Sequence, residues 1–203
     1  MRPITAEVVR RLRDMTGAGM MDCKKALEET GGDLDKAVLV LRERGIARAG
    51  KRAGRATGQG VVEAYTHATG GYPPQVGALV ELDCESDFVA KGDDFRRLAR
   101  ELAMHVAAAA PRWVAREEVP DEVVKEEREI SRARAEQDGK AAGVVEKIVE
   151  GQLEAFFKES CLLDQPYIRD AKVPVRDLIS EHISRLQENI TVRRFARFAV
   201  REG

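Results

Sequence analysis

The run Gly45-Ile-Ala-Arg-Ala-Gly50-Lys51-Arg52 carries the glycine and lysine spacing of the first part of a phosphate-binding loop. Such a loop turns backbone N–H groups toward the phosphates, and a Ser or Thr hydroxyl completes it on magnesium. Here Arg52 stands where the hydroxyl belongs, and helical rather than strand spacing precedes the run. A solvated basic stretch is therefore expected in place of a nucleotide site. His67, His105 and His182 stand apart, each without a neighbouring Cys, Ser or Asp that would activate a nucleophile. His105 falls between apolar positions of a helical pattern, where a satisfied core imidazole is the commoner outcome. Cys84, beside Glu85 and Ser86, offers a nucleophile type but no local base. The three cysteines, Cys23, Cys84 and Cys161, are widely spaced and form no C-x-x-C pair, so neither a disulfide framework nor a zinc site is expected. These residues predict no covalent catalysis, no metal and no cofactor.

Surface chemistry remains. Arg42, Arg44, Arg48, Lys51, Arg52 and Arg55 cluster in one stretch that could contact phosphates. Base-reading side chains and interleaved aromatics are missing, so no specific nucleic acid is expected and a charged linker is the plainer reading. Two other segments are less ordinary. Leu12 through Asp22 places Met20 and Met21 beside a glycine turn at a helix start, and methionine suits either a core or an adaptable partner surface. In Glu81-Leu-Asp-Cys84-Glu-Ser86-Asp87-Phe88-Val89-Ala-Lys91 a strand ends and Phe88 follows in a loop among acids. An aromatic there is either tucked under its own domain or presented as an anchor.

The elements that must position these residues follow from periodicity. Thr5 is placed to cap a helix with Val8, Leu12 and Met15 inward, and Gly17-Ala18-Gly19 turns the chain. Cys23, Ala26 and Leu27 line a second helix stopped by Gly31-Gly32. Asp33 caps a third, with Leu34, Ala37, Val38 and Leu41 inward, which Gly45 is expected to end. Residues 1–45 thus read as a three-helix module and 46–60 as a basic linker. From residue 61 to 203 the pattern is α+β. Val61–His67 and Val76–Asp83 form a hairpin of strands, and Asp94 caps a helix ended by Pro111. A helical hairpin occupies about 120–160 around Asp138-Gly139. A helix over Val175–Gln187 and a strand over Ile190–Val200, beside the first two, close the chain.

Composition agrees with two modules. Residues 1–56 hold thirteen Lys or Arg against eight Asp or Glu, whereas the remainder holds 21 against 27. Aromatics at 5% are too few for a stacking platform on single-stranded nucleic acid. No stretch approaches the roughly 18 apolar residues of a membrane span, and no apolar run follows the N-terminus. A soluble protein of the cytoplasm is expected, with no membrane partner.

The two unusual segments together resemble the signatures of the elongation factor Ts family. The first, from Leu12 through Met20-Met21-Asp22-Cys23-Lys24-Lys25-Ala26-Leu27, follows the family pattern throughout. The second departs twice, with Asp83 for the usual Asn and Ser86 for the usual Thr, both changes small in size and polarity. Leu163-Asp-Gln-Pro-Tyr167 and Val192-Arg-Arg-Phe195 also look family-like, so the resemblance covers essentially the whole chain. It implies a ubiquitin-associated-like first module and an α+β, antiparallel-sheet core with a helical hairpin. One core subdomain is visible where longer members have two, which resembles the short form that dimerises. The implied activity is guanine-nucleotide exchange on the GTPase elongation factor Tu. By the same resemblance Ser86, Asp87, Phe88 and Val89 intrude near that partner's magnesium site, with Phe88 as the wedge. Arg13, Met20 and Met21 match positions that hold its G domain.

Overall fold

Thr5 and Asp33 open two helices by the mechanism their types predict. In the computed structural model, which describes residues 3–68 and 70–200, the Thr5 hydroxyl accepts from the Val8 N–H and the Asp33 carboxylate from the Lys36 N–H. Helix α1 (Ala6–Thr16) follows the first cap, α2 (Met20–Glu29) the glycine turn and α3 (Leu34–Arg52) the second cap. Residues 1, 2 and 201–203, with which the expected first and last modules begin and end, lie outside the described residues. Beyond α3 come strands β1 (Gln59–His67) and β2 (Val76–Cys84), a one-turn helix α4 (Asp87–Ala90) and α5 (Asp93–Ala109). They are followed by α6 (Asp121–Gln137), α7 (Ala142–Ser160), β3 (Pro166–Tyr167), β4 (Asp170–Pro174), α8 (Val175–Leu186) and β5 (Ile190–Ala199). The order in the main sheet is β1-β2-β5, and β3 pairs antiparallel with β4. An N-terminal helical region followed by mixed helix and antiparallel sheet is the α+β class that the periodicity predicts.

Two compact units divide the chain. One takes Met1–Val62, Glu81–Ala99 and Asp177–Thr191, the other Glu63–Val80, Arg100–Arg176 and Val192–Gly203. In the first, Val9, Leu12, Cys23, Ala26, Leu27, Ala37 and Leu41 form one buried cluster from α1, α2 and α3. Gly17 ends α1 in the left-handed region at φ 65°, its N–H donating to the Arg13 carbonyl at 2.7 Å. Met15 corrects the expected inward face: the buried stripe of α1 runs through Val9 and Leu12, and Met15 lies outside it, 55% exposed. Gly45 is the second correction, since α3 passes through it to Arg52. One glycine costs a helix about 1 kcal/mol against alanine, and Ile46-Ala-Arg-Ala49 on its far side are ordinary helix formers. Polar contacts also hold α3 on both sides of Gly45. Arg42 meets Asp177 at 2.7 Å, Arg48 grips Asp22 with two bonds of 2.9 Å, and Arg52 donates to the Gln187 carbonyl at 2.9 Å. The run from Gly45 to Arg52 is therefore helix and offers no loop to phosphate. Where β1 begins, a Cβ at Gly60 would stand 2.4 Å from the Leu82 carbonyl oxygen, so only glycine fits between those strands.

The second unit is built around the α6–α7 hairpin. Ala135, Val145, Val149 and Leu153 bury its seam, with Val124, Ile148 and Phe157 packed alongside. Arg128–Glu150 at 2.8 Å and Arg132–Glu146 at 2.7 Å tie the two helices across the surface. Asp164, nearly buried, accepts from Arg116 at 2.7 Å and from Arg176. Gln165 donates to the Glu159 carbonyl at 2.6 Å and accepts from the His105 Nε2–H at 2.9 Å, while His105 Nδ1 accepts the Ile168 N–H. The buried imidazole is thus neutral and satisfied. The Leu163–Tyr167 stretch serves this internal network.

Candidate partner-binding site

The segment from Ser86 to Val89 is a capped helical turn, where the sequence predicted a loop. Ser86 is the N-cap, its Oγ accepting from the Val89 N–H at 3.3 Å, and Gly92 ends the turn with its N–H on the Val89 carbonyl. That geometry divides neighbouring side chains. Val89 and Ala90 are buried, and Phe88 points away, 83% exposed. Asp87 is exposed and pairs with Lys91 at 2.6 Å, and the ammonium holds its carboxyl below the usual carboxylate range. A pair this open to water contributes little to stability, so Asp87 can exchange its partner at small cost.

The base of the turn is held by residues about a hundred positions away. Glu188 accepts the Glu85 N–H at 3.1 Å and the Ser86 N–H at 3.0 Å through Oε2, and the Ser86 hydroxyl at 2.5 Å through Oε1. Glu85 answers by accepting the Asn189 N–H at 2.6 Å. This N–H, and then Arg55 at 3.4 Å, keep the Glu85 carboxyl below its ordinary range. Asn189 is buried and donates through Nδ2 to the Arg55 carbonyl at 2.8 Å. No spacing in the sequence marks Glu188 or Asn189, because only the fold brings them to Ser86.

Arg13 lies exposed in the last turn of α1, and Met20 and Met21 open α2 across the glycine turn. Met20 is 37% and Met21 63% exposed, which takes both out of the core. The Asp22–Arg48 pair just beyond them fastens α2 to α3 and draws the Asp22 carboxyl below its usual range. Met15 is exposed as well, at a position that periodicity turned inward. All of these residues, with Ser86–Val89, belong to the first compact unit.

Cys23, Cys84 and Cys161 are buried thiols, and burial pushes Cys84 up to about 11. His182 is buried, donates through Nδ1 to the Leu178 carbonyl at 2.9 Å, and is pushed down to about 4 by desolvation. Among the described residues no group of three or more His, Cys, Asp or Glu is placed to hold a metal ion, and no helix is long and apolar enough to cross a membrane.

Phe88 on its braced turn and the exposed Met15, Met20 and Met21 are the large apolar side chains that these segments leave to solvent. A family model described as elongation factor Ts matches residues 34–202. Among curated proteins, the chain is 56% identical over 200 residues to elongation factor Ts of Carboxydothermus hydrogenoformans, covering 98% of this chain and 90% of that one. It is 54% identical to the Coprothermobacter proteolyticus protein of that name (98% and 99% covered) and 54% to that of Syntrophomonas wolfei (98% and 92%). The chain belongs to the elongation factor Ts family.

Proposed function

We propose that this chain is the guanine-nucleotide exchange factor of elongation factor Tu, acting by binding and without a covalent step. The observation that carries this is the Phe88 ring, held out to solvent on a capped turn in a chain of this family. A GTPase holds GDP through phosphate contacts and magnesium, so a side chain entering beside the metal weakens the nucleotide. Phe88 is the wedge, Asp87 brings a carboxylate that disturbs the magnesium site, and Ser86 and Val89 fix the turn. Linkage does the rest: a partner that prefers the empty GTPase lowers its nucleotide affinity by the factor by which nucleotide lowers its own. Arg13, Met20 and Met21 hold the G domain.

In this reading residues 1–45 are the partner-binding module, 46–60 connect it, and 61–203 are a core that forms a symmetric homodimer in the cytoplasm. Leu79 of β2, Phe198 of β5 and Val200 beyond it are exposed apolar side chains that pairing would cover. The buried thiols leave no cysteine to link the copies. Internal bonds favour this over an RNA-binding reading. Arg42, Arg44, Arg48, Arg52 and Arg55 each engage Asp177, Glu29, Asp22, Gln187 and Glu85 respectively. Release of a fluorescent GDP analogue from elongation factor Tu, with and without this protein, tests the proposal.

A further inference from the structure

We propose that Glu188 is a positioning residue for exchange, acting through the Ser86–Phe88 turn without itself touching the partner. The inference rests on the exchange reading above. Helix α4 has only four residues, and forming a single turn fixes several dihedrals for one hydrogen bond, so such a turn frays when left alone. Phe88 gains no packing from its own chain to oppose fraying, because its ring is in solvent. Burial of Val89 and Ala90 anchors one side of the turn, and its base supplies the rest of the order.

One carboxylate supplies it. Glu188 takes two consecutive backbone N–H groups and the Ser86 hydroxyl, at 3.1, 3.0 and 2.5 Å, and the same hydroxyl caps the Val89 N–H. Bonds to an ionised acceptor are about twice as strong as neutral ones. The Glu85 carboxylate returns a bond to the Asn189 N–H, so the end of β2 and the turn after α8 clasp each other in both directions. Asn189 adds a third strand of chain through the Arg55 carbonyl. A wedge fixed in this way enters the partner already ordered and avoids the ordering cost a loose loop would meet on binding. Glu188 therefore governs how often Phe88 is correctly placed in the complex, and leaves the grip of Arg13, Met20 and Met21 unaltered.

The test is a double-mutant cycle on the full chain with elongation factor Tu and a fluorescent GDP analogue. Glu188→Ala lowers the saturating rate of GDP release about tenfold, equivalent to about 1.4 kcal/mol, with little change in the concentration giving half the effect. In a Phe88→Ala background the same change has almost no further effect, since it acts through that ring. Unchanged exchange in Glu188→Ala, or a loss that adds in full to that of Phe88→Ala, overturns the inference. Amide hydrogen exchange of the wild-type protein guards against a variant that fails to fold. The Ser86 N–H is slow to exchange if Glu188 holds it, and fast exchange there overturns the inference too. A wild-type protein that leaves GDP release untouched instead overturns the exchange reading beneath it.

Discussion

Phe88 and Val89 are consecutive residues of one helical turn and meet opposite surroundings, the ring 83% exposed and the valine 8%. The Ser86 cap fixes the phase of the turn, which sends the two side chains to opposite surroundings. The two side chains therefore separate function from stability at adjacent positions. Burying a Phe side chain is worth roughly 1.5–3 kcal/mol, so Phe88→Ala should lower exchange efficiency on the order of tenfold to a hundredfold. It should leave the melting temperature of the free protein almost unchanged. Val89→Ala should instead lower stability, by about 0.5–3 kcal/mol. Thermal unfolding measured beside exchange separates them, and an early-melting Phe88→Ala protein would return the ring to the core.

Met20 and Met21 make a similar forecast at the other surface. A core methionine replaced by alanine costs roughly 2–5 kcal/mol, and two such losses would unfold a small helical module. Both side chains are exposed. The double alanine variant should keep its helical circular dichroism and its melting temperature while binding elongation factor Tu more weakly. Titration calorimetry against the GTPase measures the second effect.

His182 predicts a pH dependence of a definite sign. Its folded value is pushed down to about 4 by burial, against 6.5 in the open chain, with Arg185 and Arg97 also opposing the charge and Asp94 favouring it. The unfolded chain therefore takes up the proton first. Stability is full above about pH 6.5 and falls between there and about pH 4, by up to about 1.4 kcal/mol per pH unit. Urea unfolding at pH 7, 5.5 and 4.5 should show a drop that His182→Gln reduces. Parallel curves for the two proteins would remove His182 as the cause.

Phe198 tests the assembly. A single 22.5 kDa chain with exposed Leu79, Phe198 and Val200 should scatter light as a species of twice that mass at micromolar concentration. Phe198→Glu should shift it toward the single chain without loss of fold. A wild-type monomer at that concentration would contradict the dimer.

Much of this architecture is legible in the sequence because its signals are local. Thr5, Asp33 and the Gly17 turn act within a few residues, so the first three helices can be read from them. Met15 misleads because Val8, Leu12 and Met15 fit a helical stripe that shares Leu12 with the buried one, while burial takes Val9 and leaves Met15 exposed. Gly45 misleads because one glycine costs a helix only about 1 kcal/mol, and good helix formers and the polar contacts of Arg48 and Arg52 follow it. Two-residue β3 is too short to show alternation. At the candidate site, Phe88 stands out by residue type among acids, whereas its exposure and its brace do not. Glu188 reaches Ser86 across 102 residues of chain, a contact that no spacing encodes.

The most direct test of the central claim is the rate at which elongation factor Tu loses a fluorescent GDP analogue as this protein is added. The account predicts a rate that rises with concentration to a plateau well above spontaneous release, with no GTP hydrolysis by this chain alone. A release rate at saturating protein that equals the spontaneous one would contradict it.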